Sequence, residues 1–297
     1  MSVLRALALF VAAMSAFGPA AARAECTPRF TNSALSIVVP DLDLSSGGQS
    51  LENFSFRIRN EGGPGDQCSA RLRFVRSNTA PSNFVIDYTV LRGARVMDVL
   101  ANESLPGTAG SDWRTTQISS GPNGANFPFK LAIPSGWGLP AGTWTDDVIA
   151  LLVDDSGAVV DQLFISITFT VPPSVELRIV GATGENAIAR VDMGDLDAGS
   201  INDSAPFGVR IWSSSAYTVS FDSQNQGYLR RSPSDDRIPY ELYMDGARVG
   251  VLGGAAKYVP THTGPMGNLH PLKVRVRPFQ SRAGDYSDRV EVTVTAV

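Results

Sequence analysis

The sequence has little histidine and cysteine, and this scarcity argues against several kinds of site. Only two His residues, His262 and His270, and two Cys residues, Cys26 and Cys68, occur in 297 residues. The two His are eight positions apart, which is not a zinc-site spacing, and no GxSxG motif accompanies the many serines. A phosphate-binding loop and a nucleotide fingerprint are also absent. We therefore expect a protein that is not an enzyme and that holds no metal or cofactor.

The sequence also has no basic excess and almost no long apolar segment. Its formal net charge is -4 and it has no basic stripe, so we expect no nucleic-acid partner. Residues 1–24 combine an early Arg, an apolar stretch and the small-residue site Ala22-Arg23-Ala24. This pattern predicts a signal peptide cleaved before Glu25, with a membrane anchor as the alternative. No later segment is long and apolar enough to span a bilayer, so we expect export.

Helix-forming residues are sparse after residue 24, whereas short runs of Val, Thr, Ile and Phe alternate with clusters of Gly, Pro, Asn and Ser. This composition is typical of an all-β protein, and the length fits two domains. In an oxidising compartment, Cys26 and Cys68 most simply form one disulfide. A metal site or a reactive thiol, the alternatives, would need more ligands than the sequence places nearby.

Four sequence segments recur in the same order along the chain and indicate a tandem duplication. The pairs, each with its starting position, are "FSFRIR" (54) and "FGVRIW" (207), "RGARVMDVLA" (92) and "DGARVGVLGG" (245), "FPFKLAIP" (127) and "HPLKVRVRP" (270), and "AGTWTDDVIALLV" (141) and "AGDYSDRVEVTV" (283). Each copy has about seven short strands, which favours two tandem immunoglobulin-like β-sandwiches. Paired prolines at 172–173 predict domains of residues 25–172 and 173–297.

The two copies differ at their ends. The first continues through a turn at residues 155–157 into a strand with five apolar residues at alternate positions, whereas the second shows no return strand. We therefore expect the second sandwich to lack its final strand, G. Burial of each such side chain is worth about 1.5–3 kcal/mol, so the loss is on the order of 7–15 kcal/mol, comparable to the stability of a domain.

The physical remedy for the missing strand is a strand donated by another chain. The alternating residues of the last strand, predicted to run on from Tyr286, would line the groove that receives it. The predicted groove residues are Tyr286, Val290, Val292 and Val294. A smaller, differently paired sandwich that needs no donor is the alternative.

The C-terminal part resembles a known family. The segments "AYTVSFDSQNQGYLRR", "IPYELYMDG" and "AGDYSDRVEVTVTAV" are similar to the spore coat protein U domain, which is also found in secreted pilins of archaic chaperone–usher pathways. The resemblance is strong from residue 175 to residue 297 and fainter over residues 25–171. Family members usually carry a disulfide within this domain, whereas the second copy has no Cys and has Ser215 near the expected position.

The resemblance implies a mechanism. A periplasmic chaperone lends a strand to the groove, and the adjacent pilin subunit then replaces it at the outer-membrane usher. The predicted mature chain starts at Glu25 and so has no donor segment of its own, which predicts the terminal subunit: an extracellular adhesin at the fimbrium tip. Two alternatives stay open. One is a free secreted or periplasmic two-domain module that binds carbohydrate or protein; the other is a structural protein of a spore or outer coat.

The adhesin hypothesis predicts a surface-binding region at the distal end of the first domain. A long connection, residues 102–126, is predicted there between the fourth and fifth strands of the sandwich (D and E). Long loops in compact domains are usually functional or disordered. The apolar residues of this connection, the candidates for contact with a host or abiotic surface, are Leu105, Pro106, Trp113 and Ile118. The alternative for Trp113 is that it folds back onto the sandwich.

Overall fold

We describe residues 26–45, 47–62, 68–77, 86–97, 99–100, 113–115, 117–118, 120–154, 156–183, 188–253 and 256–297 of a computed structural model of the chain. The predicted signal peptide, residues 1–24, and two of the predicted surface-binding residues, Leu105 and Pro106, lie outside these ranges. Within them, no helix has the length and apolarity needed to cross a membrane.

All regular secondary structure in the described ranges is strand, which confirms the predicted all-β fold class. We call residues 26–171 the N-terminal unit and residues 175–297 the C-terminal unit. The N-terminal unit contains β1 (Pro28–Phe30), β2 (Ala34–Val39), β3 (Gln49–Asn60), β4 (Arg71–Arg76), β5 (Thr89–Arg92), β6 (Arg95–Met97), β7 (Val99–Leu100), β8 (Trp113–Arg114), β9 (Ala125–Pro134), β10 (Gly142–Val153) and β11 (Val159–Val171).

The described residues of the C-terminal unit form twelve further strands. They are β12 (Val175–Val180), β13 (Asn202–Asp203), β14 (Phe207–Ser213), β15 (Tyr217–Ser223), β16 (Tyr228–Arg231), β17 (Arg237–Pro239), β18 (Glu241–Met244), β19 (Ala247–Val249), β20 (Lys257–Val259), β21 (Asn268–Val276), β22 (Tyr286–Ser287) and β23 (Val290–Ala296). The short link between the units is held by Ser214, whose Oγ donates to the Pro172 carbonyl (2.8 Å) and accepts from the Ser174 amide (2.9 Å).

Two sheets enclose a single core in the N-terminal unit. One has the order β1-β3-β9-β5-β6, and the other has the order β2-β11-β10-β4-β7, with β8 also paired to β4. Phe74 from the second sheet meets Phe129 from the first edge to face, with ring centroids 5.6 Å apart. Apolar residues at alternate strand positions face inward, as their period of two predicts, and together fill the space between the sheets.

The return strand expected in this unit is β11. It pairs antiparallel with β10 along its length and parallel with β2 on its other edge. The turn between β10 and β11 is fixed by Asp154, whose carboxylate accepts hydrogen bonds from the backbone amides of Ser156 (2.8 Å) and Ala158 (2.9 Å). The inward side chains of β11 are each at most 3% exposed: Leu163, Ile165, Ile167, Phe169 and Val171.

The C-terminal unit repeats this topology. Its largest sheet has the order β12-β14-β21-β18-β19, which corresponds strand for strand to β1-β3-β9-β5-β6, with β13 also paired to β21. Two smaller sheets have the orders β20-β15-β23 and β17-β16-β22. By its place in the sequence repeat, β23 corresponds to β10, and its partner β15 corresponds to β4.

The repeat extends to individual residue pairs across the strands, so aligned residues face the same side in both units. The corresponding pairs are Ser55↔Pro128 and Gly208↔Pro271, Phe54↔Phe129 and Phe207↔Leu272, and Ala150↔Phe74 and Val292↔Phe221. This agreement supports the tandem duplication inferred from the sequence and makes the N-terminal unit a reference for the C-terminal one.

Candidate functional site

Strand β23 has one unpaired edge. It pairs antiparallel with β15 from Tyr217↔Ala296 to Ser223↔Val290, but no strand of the described residues pairs with its other edge. The corresponding strand β10 is covered on both edges, by β4 and by β11. The position that β11 occupies in the N-terminal unit therefore has no counterpart in the described part of the C-terminal unit.

The unpaired edge leaves part of the core open. In β10, Val148, Ala150 and Leu152 are at most 2% exposed. Their counterparts in β23 are the predicted groove residues Val290, Val292 and Val294, which pack against the core and yet remain half-buried. The difference follows from the missing neighbour, because the side chains of a G strand would cover these positions.

Strand β12 forms the other side of the opening. It contacts β23 without pairing with it. Val175 packs on the core cluster that includes the β23 valines, and Leu177 is 36% exposed although it lies in a strand. Leu177 lies two positions beyond Val175 and so faces the same side of β12, and an exposed leucine there, together with the half-buried valines, favours an interaction site. We call this feature, lined by Val175, Leu177 and the three β23 valines, the β23 groove.

The predicted last strand is interrupted, and the prediction that it runs continuously from Tyr286 is wrong. Residues 288–289 are not strand. The Asp288 carboxylate accepts hydrogen bonds from the Asn225 amide (3.0 Å) and the Arg289 amide (2.8 Å), and these bonds interrupt the regular strand. Tyr286 consequently lies in β22, paired with Arg231. It packs on a second cluster around Ile238, on which Val290 also packs, whereas Val292 and Val294 pack only on the first cluster.

A tyrosine–aspartate pair recurs in the two units and was missed in the sequence. Tyr88 donates a 2.6 Å hydrogen bond to Asp146, and Tyr240 donates a 2.6 Å hydrogen bond to Asp288. Burial, and then the bond to the carboxylate, raise the pKa of each tyrosine above its ordinary value. The available signal was the repeat of "IDY" at residue 86 as "IPY" at residue 238.

A second group of buried polar side chains connects the sheet that contains β23 with the larger sheet of the C-terminal unit. His270 of β21 is 8% exposed; its Nε2 lies 2.8 Å from the hydroxyl of Tyr217 in β15, and its Nδ1 lies 2.8 Å from the Asp245 carboxylate. Burial alone would raise the pKa of Asp245, but hydrogen bonds from Lys257 and His270 hold it below its ordinary value. These contacts join β15, the partner of β23, to the larger sheet.

Two predicted surface-binding residues are packed inward. Ile118 is 1% exposed and forms a bridge with Cys68, so its predicted contact with an external surface is wrong. Trp113 is half-buried in β8, and its ring meets Phe127 and Phe129 at centroid distances of 5.7 and 6.2 Å. It therefore adopts the folded-back arrangement that was the alternative, because pairing of β8 with β4 draws this end of the connection onto the core.

The predicted disulfide is present. Cys26 and Cys68, which are 42 positions apart in sequence, are bonded, with Cα atoms 5.1 Å apart. Cys68 is fully buried, so the bond anchors the beginning of the described chain to the core of the N-terminal unit.

Comparison with solved structures gives low identity over most of the chain. A chain of the CsuC–CsuE chaperone–tip adhesion subunit complex of Acinetobacter baumannii is 14% identical, with 91% of this chain and 99% of that chain covered and a TM-score of 0.42. CfaE, the adhesive subunit of CFA/I fimbria of enterotoxigenic Escherichia coli, is 14% identical (92% and 94% covered, TM-score 0.42). The CupB6 tip adhesin of Pseudomonas aeruginosa is 12% identical (91% and 94% covered, TM-score 0.39).

No curated protein matches the chain. The family comparison does give a match within the C-terminal unit, in a span that contains β14 to β22 and the first residues of β23, including Val290 and Val292. Residues 203–293 match the family described as Spore Coat Protein U domain, which confirms the resemblance over this span.

Proposed function

We propose that the chain is the tip adhesin of a chaperone–usher fimbrium. Residues 25–172 form a complete, surface-binding domain, and residues 173–297 form a pilin-type domain that accepts a strand from another chain. The β23 groove carries this proposal, because a strand with a free edge beside half-buried valines has the geometry of a sandwich that lacks one strand. The family match over residues 203–293 supports it.

Strand β11 shows what the donated strand has to supply. Its five inward side chains are buried, each worth about 1.5–3 kcal/mol, and its backbone satisfies the edge of β10. An extended segment with apolar residues at alternate positions would cover Val290, Val292 and Val294 in the same way. Backbone pairing would give affinity, and the alternating side chains would fix the register.

The partners follow from this exchange. A periplasmic chaperone supplies the first strand and keeps the free edge from pairing with other edges. At the outer-membrane usher, the strand of the adjacent pilin replaces it. The chain passes through the periplasm and acts outside the cell at the fimbrium tip. There the N-terminal unit, whose own sheets are closed by β11, is available to bind a host or abiotic surface. This role requires neither catalysis nor a cofactor.

The test adds a strand to the full chain. A copy of Gln162–Val171 is joined through a flexible linker after Val297, where it can pair antiparallel with β23 as β11 pairs with β10. Amide hydrogen exchange is then measured in β23 and β15. We expect slower exchange in both strands and a higher urea midpoint for the C-terminal unit, with no change in the N-terminal unit.

The matched control is the same extension with aspartate at the positions copied from Ile165 and Ile167. It has the same length and linker but cannot bury its central side chains, so it should leave exchange in β23 unchanged. If β23 is already protected in the unextended chain and the grafted strand adds nothing, the sheet is closed. The fimbrial proposal then fails in favour of a free binding module.

A further inference from the structure

A shallow depression lies at the surface of the N-terminal unit and shares no residue with the β23 groove. It has a volume of about 470 Å³ and is lined by outward-facing residues of β3 and β9, by the core-facing Phe54 and Phe129 of the same strands, and by Arg92 and Gly93 at the end of β5. Pockets for small ligands occupy roughly 300–1,000 Å³, so its size suits one or two sugar residues.

Four exposed polar side chains converge on this depression: Asn53 and Ser55 of β3, and Asn126 and Lys130 of β9. Asn53 pairs directly across the strands with Lys130. In the part of the chain that the structure describes, none of these four side chains has a hydrogen bond or an ion pair with another protein group. Two amides, a hydroxyl and an ammonium offer donors and acceptors at spacings set by the sheet.

The depression is also positive. Lys130 and Arg92 line it, and no Asp or Glu does. The Arg92 guanidinium donates to the Pro128 carbonyl and lies 5.3 Å from the centroid of the Phe129 ring, so its position is fixed by the protein. Arg92 thus contributes charge, whereas Lys130 has its donors available. Pro128 adds an apolar surface beside the polar groups.

The duplicated C-terminal unit provides an internal comparison. At the positions that correspond to Ser55, Asn126 and Lys130 it has Gly208, Leu269 and Lys273. Gly and Leu offer no side-chain hydrogen bond. Lys273 is bound to Asp203 (3.4 Å) and lies 5.5 Å from the centre of the Tyr243 ring. At these three positions, therefore, the N-terminal unit has unpaired polar side chains and the C-terminal unit has none.

We propose that this depression of the N-terminal unit binds a sugar that bears a carboxylate. Lys130 pairs with the carboxylate in the positive field of Arg92, and Asn53, Ser55 and Asn126 bond to the hydroxyls. Pro128 packs against an apolar face of the ring. The inference rests on the proposed adhesin function for its biological meaning, but the binding itself does not involve the β23 groove.

The test uses the full-length chain and two matched pairs of probes: trigalacturonic acid with its methyl ester, and sialyllactose with lactose. Binding is measured by isothermal titration or saturation-transfer NMR. We expect at least one acid to bind about tenfold more tightly than its uncharged counterpart, since a hydrogen bond to a charged group is worth more than a neutral one. The preference should weaken as salt is raised.

The variants separate this site from general charge. Lys130→Gln should abolish the preference for the acid, and Asn53→Ala should weaken binding of that acid. Lys273→Gln, the same change at the corresponding position of the other unit, should alter neither. Equal binding of charged and uncharged probes, no binding of either acid, or an equal loss in Lys273→Gln would overturn the inference. A failed strand graft with intact sugar binding would instead refute the fimbrial proposal and leave this site standing.

Discussion

Equivalent valines in the two units allow the open groove to be measured as an energy difference. Val148 of β10 and Val290 of β23 occupy corresponding positions, but Val148 is 2% exposed and Val290 is half-buried. Replacing either by alanine removes two methyl groups. In the closed unit this costs about 1.6 kcal/mol for lost burial, and a residual cavity brings the total to roughly 2–3 kcal/mol. In the open groove we expect about half as much, since solvent already reaches the side chain.

The decisive comparison repeats Val290→Ala in the chain that carries the grafted strand. If the strand covers Val290 as β11 covers Val148, the cost of the substitution should rise by about 1–2 kcal/mol, to the value for Val148→Ala. The assay is hydrogen exchange under urea, read at β23 and β15 for Val290→Ala and at β10 and β4 for Val148→Ala. Equal costs for the two substitutions in the unextended chain, unchanged by the graft, would refute the idea that the groove is open.

Three further predictions concern the polar and covalent contacts. Tyr240→Phe removes the hydroxyl that bonds to Asp288 and should destabilise the C-terminal unit by about 1–3 kcal/mol in urea unfolding, because a carboxylate loses a partner. Replacing Cys26 and Cys68 by alanine should cost the N-terminal unit about 2–4 kcal/mol, measured by the same method, without changing exchange in β23. The pKa of Asp245 is lowered on folding, so its contribution to stability is present above its unfolded pKa and is lost as pH falls through the folded pKa. Asp245→Asn should flatten this acid-side loss in urea midpoints measured from about pH 5 down to about pH 2.

Most of the architecture could be predicted because it depends on local patterns. Alternating apolar residues predict strands, and the four repeated segments predict the common sheet order of the two units. The disulfide could be predicted because only two cysteines exist and export favours their oxidation. These features need only the sequence spacing of residue types.

The errors concern contacts between residues distant in sequence. The break at Asp288 depends on a hydrogen bond from Asn225, and alternation within one segment cannot show that bond. The inward position of Ile118 depends on its bridge to Cys68 across the sandwich. The prediction that an apolar side chain in a polar connection is exposed is therefore correct only when no such partner lies nearby.

The two neighbours of β11 also determine how the N-terminal unit responds to force. The C-terminal end of β11 leads directly to the link between the units, so tension transmitted from the C-terminal unit would pull β11 along its own axis. Because β11 is bonded on both edges, to β10 and to β2, such a pull loads many backbone hydrogen bonds in shear at the same time. Bonds loaded in shear share the force, whereas bonds peeled apart from one end break singly. The strand that completes the N-terminal sandwich would therefore also make it resistant to mechanical extension.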